Sequence, residues 1–182
     1  MLTTIAIAKQ MLGIAEDDMT QDGQLTLALI ASSQRIEQEC RRSFKKQSYK
    51  ERASGIGSQY FPLRNYPIES VQQVNVDGVE VTDFTENEGI LFRRCGWPSG
   101  SFNLEATYVG GYVLPEDATE ETPSTLPKPL EFACILFAQT LLRTPGAITE
   151  RVGDISVTYA NEGDELPSSV RALVLPYVSS WG

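Results

Sequence analysis

Val74-Asn75-Val76-Asp77-Gly78-Val79-Glu80-Val81 alternates apolar and polar residues on either side of an Asp-Gly pair, the pattern of a half-buried hairpin closed by a two-residue turn. In that register Val76 opposes Val79 and Val74 opposes Val81, so four valines share one face while Asn75 and Glu80 share the other. Further along, Phe102, Leu104, Ala106 and Tyr108 take one face of a strand. It ends at Gly110-Gly111, where the chain can turn without a side-chain clash. Segments 48–52, 59–63 and 90–92 supply shorter strands, with Pro62 marking an edge position. The middle of the chain therefore reads as an antiparallel β meander.

On both sides the period changes from two to 3.6. Thr3 or Thr4 caps a first helix carrying Ile5, Ala8 and Leu12, and Gly13-Ile14 supplies a C-terminal stop. Asp17, Asp18, Thr20 and Asp22 offer caps for a longer helix with Leu25, Leu29, Ile36 and Cys40 on one stripe and Ser32 and Ser33 between them. After the sheet, residues 115–126 form an acidic, exposed loop. Pro127 and Pro129 then open a third helix, apolar nearly all round from Leu130 to Ala138. Such a helix must be covered on all sides, which places it at the centre of the fold or, alternatively, against another subunit. A strand over 154–159 and a short helix opening at Leu166-Pro167 and stopped by Pro176 complete the chain. The aromatic tail with Tyr177 and Trp181 either folds back or waits for a partner. The predicted class is α+β in a single domain: a helical pair (1–46), a β meander (47–114), an acidic loop (115–126), then helix, strand and C-terminal helix (127–182).

Composition bounds the chemistry. With 182 residues, 41% of them hydrophobic, the chain is long enough to bury roughly 70% of its unfolded surface. The most apolar stretch, 130–142, is shorter than the ~20 residues that cross a bilayer, and no charged-then-apolar leader follows Met1; assembly in the cytoplasm and no membrane partner are expected. There is no histidine, so Ser-His-Asp, Cys-His and His-ligated zinc sites are excluded. Cys40, Cys95 and Cys134 are odd in number and widely spaced, which suggests neither a disulfide framework nor a zinc motif. Gly55-Ile56-Gly57 lacks the third glycine of a dinucleotide fingerprint, and no glycine-rich segment ends in Lys-Ser or Lys-Thr. No catalytic residue, cofactor or metal ligand is assigned.

The net charge of −9 is unevenly placed. Residues 1–52 hold 8 basic and 7 acidic residues, a balance of +1, and residues 53–182 hold 7 and 17, a balance of −10. Six cations crowd into Arg41, Arg42, Lys45, Lys46, Lys50 and Arg52, just after a helical pattern. They either offset the helix dipole in solvent or form a docking patch for an acidic partner.

The order of landmarks carries more than any one of them. Cys40-Arg41-Arg42-Ser43-Phe44 closes the long helix; Tyr66-Pro67-Ile68, Asp77-Gly78, Tyr108-Val109-Gly110-Gly111-Tyr112 and Leu126-Pro127 follow, with a closing segment at 150–159. This series resembles the head-tail connector (adaptor) proteins of tailed bacteriophages. The resemblance implies a structural subunit of a phage or prophage virion at the head-tail junction. It would form a homo-oligomeric ring under the portal protein that extends the DNA channel and meets stopper or tail proteins, with DNA passing without sequence-specific binding. Portal or subunit contacts are expected at Arg41, Arg42, Lys45, Lys46, Tyr177 and Trp181. A tail-completion or terminator ring protein is the alternative, and a small enzyme working without histidine is a third class.

Overall fold

The computed structural model describes residues 1–142, 149–152, 155–158 and 166–179. The class is α+β, as expected, and the chain divides into two compact units: residues 1–40 with 126–178, and residues 41–125 with Ser179.

The first unit is built on four helices. Helix α1 (Ile5–Leu12) is capped by the Thr4 hydroxyl, which accepts from Ile7 N, and stops at Gly13 in the left-handed conformation, as the sequence predicts. Helix α2 (Asp22–Cys40) buries Leu25, Leu29, Ile36 and Cys40. Of the four candidate caps, Asp18 turns out to close the preceding turn, accepting from Thr20 N at 3.0 Å, while Asp22 pairs with the buried Lys9 at 2.7 Å. Helix α3 (Lys128–Leu142) buries Leu130, Ala133, Cys134, Ile135 and Ala138. It meets α2 through Ser33 Oγ, which lies 3.3 Å from Cys134 Sγ, donates to Leu29 O at 2.7 Å and accepts from Leu2 N at 3.0 Å. Burial pushes the Cys134 thiol up to about 11, so it stays protonated. Within the single chain this helix is not covered on every side: Phe132 is exposed, as are Leu141 and Leu142 beyond the apolar stretch, which leaves covering by another subunit as the alternative for that face. Helix α4 (Ser168–Val174), continued by a 3-10 turn at Leu175–Tyr177, is the last helix of this unit among the described residues.

The second unit contains β1 (Gln47–Gly55), β2 (Tyr60–Pro62), β3 (Ile68–Val76), β4 (Val79–Glu80), β5 (Thr85–Asn87), β6 (Ile90–Phe92) and β7 (Gly100–Gly110). Pairing between these strands is antiparallel, with one isolated parallel bridge between Lys45 and Tyr112, but the strands do not follow one another as in a simple meander. One sheet has the order β1-β7-β3-β4 and another the order β2-β6-β5, with Pro62 on an edge strand as predicted. Both sheets contribute to one core of Phe61, Leu63, Val74, Leu91, Trp97, Leu104, Ala106 and Tyr108. The Asp77-Gly78 turn has positive φ at both residues, 50° and 79°, the geometry that matches strand twist in a two-residue hairpin. Val76 faces Val79 as predicted, and Val81 N donates to Val74 O at 2.9 Å. The shared buried face holds for Val74 but not for Val79, which is 67% exposed because β4 is a two-residue edge beyond the core. In the first unit, β8 (Thr149–Val152) and β9 (Ile155–Thr158) pair as a hairpin; Asp154 and Tyr159 of the predicted strand lie outside the described residues.

Candidate functional site

Two adjacent arginines at the end of α2 have opposite fates. Arg41 takes a left-handed backbone, φ 54°, and its side chain is exposed. That turn sends Arg42 inward, where it is only 5% exposed. Its guanidinium carbon sits 3.6 Å from the centroid of Tyr66, 5.0 Å from Phe44 and 5.9 Å from Tyr112. Nη2 donates to the Tyr66 carbonyl, while Nε and Nη1 have no hydrogen-bond partner among the described residues. A buried cation without a carboxylate is costly; here three ring faces supply the negative potential, an arrangement worth about 2 kcal/mol when desolvated.

The backbone around this clasp is drawn tight at the end of β7. A Cβ on Gly110 would stand 2.3 Å from Asn65 O, and one on Gly111 would stand 2.5 Å from Lys45 O. The absent side chains let Gly111 N donate to Pro67 O at 3.0 Å, Tyr112 N to Phe44 O at 2.7 Å and Lys46 N to Tyr112 O at 2.8 Å. The Tyr66-Pro67 bond is cis. Three of the sequence landmarks, 40–44, 66–68 and 108–112, thus meet at one end of the sheet. Asp77-Gly78 lies at the far end of β3, and Leu126-Pro127 opens α3.

Behind the rings, Tyr108 is fully buried. Its hydroxyl donates to Glu51 Oε2 at 2.8 Å and accepts from Asn65 N and Nδ2 at 3.2 and 3.1 Å. Asn65 Oδ1 in turn accepts from Ser43 N at 2.9 Å, and Glu51 pairs with Arg64 Nε at 3.1 Å. Burial, with the Glu51 carboxylate second, holds the Tyr108 phenol well above its ordinary value. This network was missed in the sequence. Asn65 precedes Tyr66-Pro67 and looks like turn punctuation, whereas it joins three segments.

The remaining cations neither point to bare solvent nor sit at the helix dipole. The last turn of α2 contains no basic residue. Lys45 pairs with Asp117 at 3.0 Å, Lys46 with Glu69 at 2.9 Å and Lys50 with Glu105 at 3.0 Å, and Arg52 approaches Glu105 at 3.9 Å. The hydrogen bond from Lys50 lowers the Glu105 pKa, and the one to Asp117 raises that of Lys45. Tyr177 is half-buried in the 3-10 turn of the first unit, and Trp181 lies outside the described residues. Among the described residues no three His, Cys, Asp or Glu side chains are grouped so as to hold a metal, and no helix is long and apolar enough to cross a membrane.

No protein-family model matches this chain, and no curated protein matches it. Solved structures do. A chain from the neck of an empty gene transfer agent particle, computed with C6 symmetry, matches with a TM-score of 0.59 at 16% identity over 97% of this chain and 89% of its own. A chain from the neck of the native particle, computed with C12 symmetry, matches with a TM-score of 0.54 at 15% identity over 84% and 80%. A chain from the virion of the native particle gives 0.59 at 15% over 97% and 89%. At these identities the likeness is one of fold.

Proposed function

We propose that this protein is a structural subunit of the neck of a phage-like particle, a connector that forms a ring under the portal, extends the DNA channel and links capsid to tail. The observation that carries the reading is the shared fold over 97% of the chain with a chain of a particle neck computed with rotational symmetry. The convergence of three of the connector-like landmarks on the Arg42 clasp supports it, because segments that look like unrelated punctuation have one joint role. A chain of net charge −9 also suits a channel wall that lets DNA pass without holding its phosphates. In this reading the protein is not an enzyme.

Arg41, Lys45 and Lys46 form the candidate portal-facing or subunit-facing edge, with Arg42 fixing the segment that bears them; Tyr177 and Trp181 are the candidates at the other end of the chain. Native mass spectrometry with electron micrographs of the same sample, alone and with portal particles, tests the ring. Closed rings in either condition are expected. A monomer that ignores portals overturns the proposal. Given rings, Arg41→Glu combined with Lys46→Glu should weaken portal binding about tenfold, as should removal of residues 179–182; unchanged binding in both variants removes Arg41, Lys46 and Trp181 from the interface.

A further inference from the structure

The outward side of α2 is anomalous for a surface helix of an acidic chain. Its exposed stripe of Gly23, Leu27, Ile30, Ala31, Gln34 and Gln38 contains no charge, and Leu27 is 69% exposed. Every charged residue of α2 lies partly buried on the flanks instead: Asp22 on Lys9, Arg35 on Glu39 at 3.2 Å, and Glu37. Exposed faces of soluble helices normally carry the charges. Helix α3 repeats the pattern: beyond Lys128 its exposed residues, among them Phe132, Gln139, Thr140, Leu141 and Leu142, carry no charge, and Leu136 between them is half-buried. The two helices meet through Ser33 and Cys134, so these stripes lie on their other sides.

We propose that the outward stripe of α2 in one copy packs against the outward stripe of α3 in the next copy of this chain. The inference rests on the ring reading above. A rotational ring of identical subunits needs two different patches per copy, joined head to tail, and these are two such patches. Two chains of charge −9 repel each other, and a stripe without charge lets them approach at lower electrostatic cost. A neutral, partly apolar centre rimmed by ionic side chains is the make-up of a subunit contact.

The test uses the whole chain with Cys95→Ser, since Cys40 and Cys134 are buried and Cys95 is exposed. Gln34→Cys and Gln139→Cys are made singly and together and treated with a short bis-maleimide. A mixture of the two single variants should give cross-linked dimers, neither single variant alone should give any, and the double variant should give a ladder. Leu27→Glu with Phe132→Glu should reduce the ring fraction about tenfold at equal concentration while the circular dichroism spectrum is unchanged. Rings that persist in that variant, with no cross-links in the mixture, overturn this contact and leave the ring reading intact. Cross-links within a single variant indicate a two-fold contact and overturn the head-to-tail arrangement. Absence of rings in the unaltered chain, with and without portal particles, overturns both.

Discussion

The two ends of β7 are built on opposite terms. Past Gly110 the strand end is held by backbone bonds from Gly111 and Tyr112 to Pro67 and Phe44, and Arg42, Phe44 and Tyr108 beside it are buried. At Gly100 the pairing with β1 slips between Ala53 and Gly55, Phe102 takes φ 51°, and its ring is 65% exposed. Glycines let backbones touch at both ends, since a Cβ on Gly55 would stand 1.9 Å from Pro98 O, but one end gives its left-handed position to Gly111 whereas the other gives up stability by placing an aromatic residue where glycine belongs. Substitutions at the two left-handed positions, Gly111 and Phe102, should accordingly differ in sign.

The largest effect is expected at Gly111→Ala. The new Cβ would meet Lys45 O at 2.5 Å and Phe44 O at 2.9 Å, and the residue sits at φ 96°, so both sterics and backbone oppose it. A loss of about 3 kcal/mol or more is expected, read as a lower urea midpoint from Trp97 fluorescence in a Trp181→Phe background. A loss under 1 kcal/mol would mean that the clasp loosens without consequence.

Arg42→Met comes next. It keeps the stem but removes the cation from the three rings, and a loss of about 2 kcal/mol is expected. Arg42→Lys should recover part of it, because an ammonium is attracted by the same ring faces but cannot spread over them as a planar guanidinium does. Equal losses in both variants would point to the carbonyl contact with Tyr66 rather than to the rings.

The Tyr108 network gives the clasp end a dependence on alkaline pH. Its folded pKa lies above the ordinary value of 10.0, so above pH 10 the unfolded chain loses a proton that the folded chain keeps. Stability is therefore fully present below pH 10 and declines as pH rises beyond it. Tyr108→Phe should remove that slope while lowering stability at pH 7 by about 1 kcal/mol, since Glu51 and Asn65 each lose a bond. An unchanged slope would assign the alkaline loss to other groups.

These contrasts also explain what was legible in the sequence. Signals that act within four residues were readable: the Thr4 cap, the Gly13 stop, the α2 stripe and the Asp77-Gly78 turn. So was the general antiparallel pairing. The partner of β7 was not, because Tyr49 faces Tyr108 across 59 residues and no local pattern specifies that closure. Arg41 and Arg42 are the same residue type side by side, and only the left-handed turn at the first decides that the second is buried. The order of landmarks did mark the segments that form the clasp, but not Asn65 or Glu51, whose roles exist only once three segments meet.

Phe102 shows most plainly how a long-range feature defeats a local period. Alternation placed it with Leu104, Ala106 and Tyr108, and those three are buried as expected. The slip at Gly55 reverses Phe102 alone, with Ser54 Oγ accepting from its N–H at 3.0 Å and Asn103 bridging Gly55 N and Pro98 O at 2.8 and 3.0 Å. Phe102→Gly relieves a left-handed penalty of about 1–2 kcal/mol but adds unfolded-state entropy of about 0.5–1 kcal/mol, so a net gain near 0.5 kcal/mol is expected. Phe102→Ala keeps the penalty and removes a ring that is mostly in solvent, and should change stability little. The pair separates backbone from side chain: if alanine stabilises as much as glycine, the exposed ring and not the dihedral angle is the liability. If glycine destabilises, the ring is packed more firmly than its exposure implies and the two ends of β7 are alike after all.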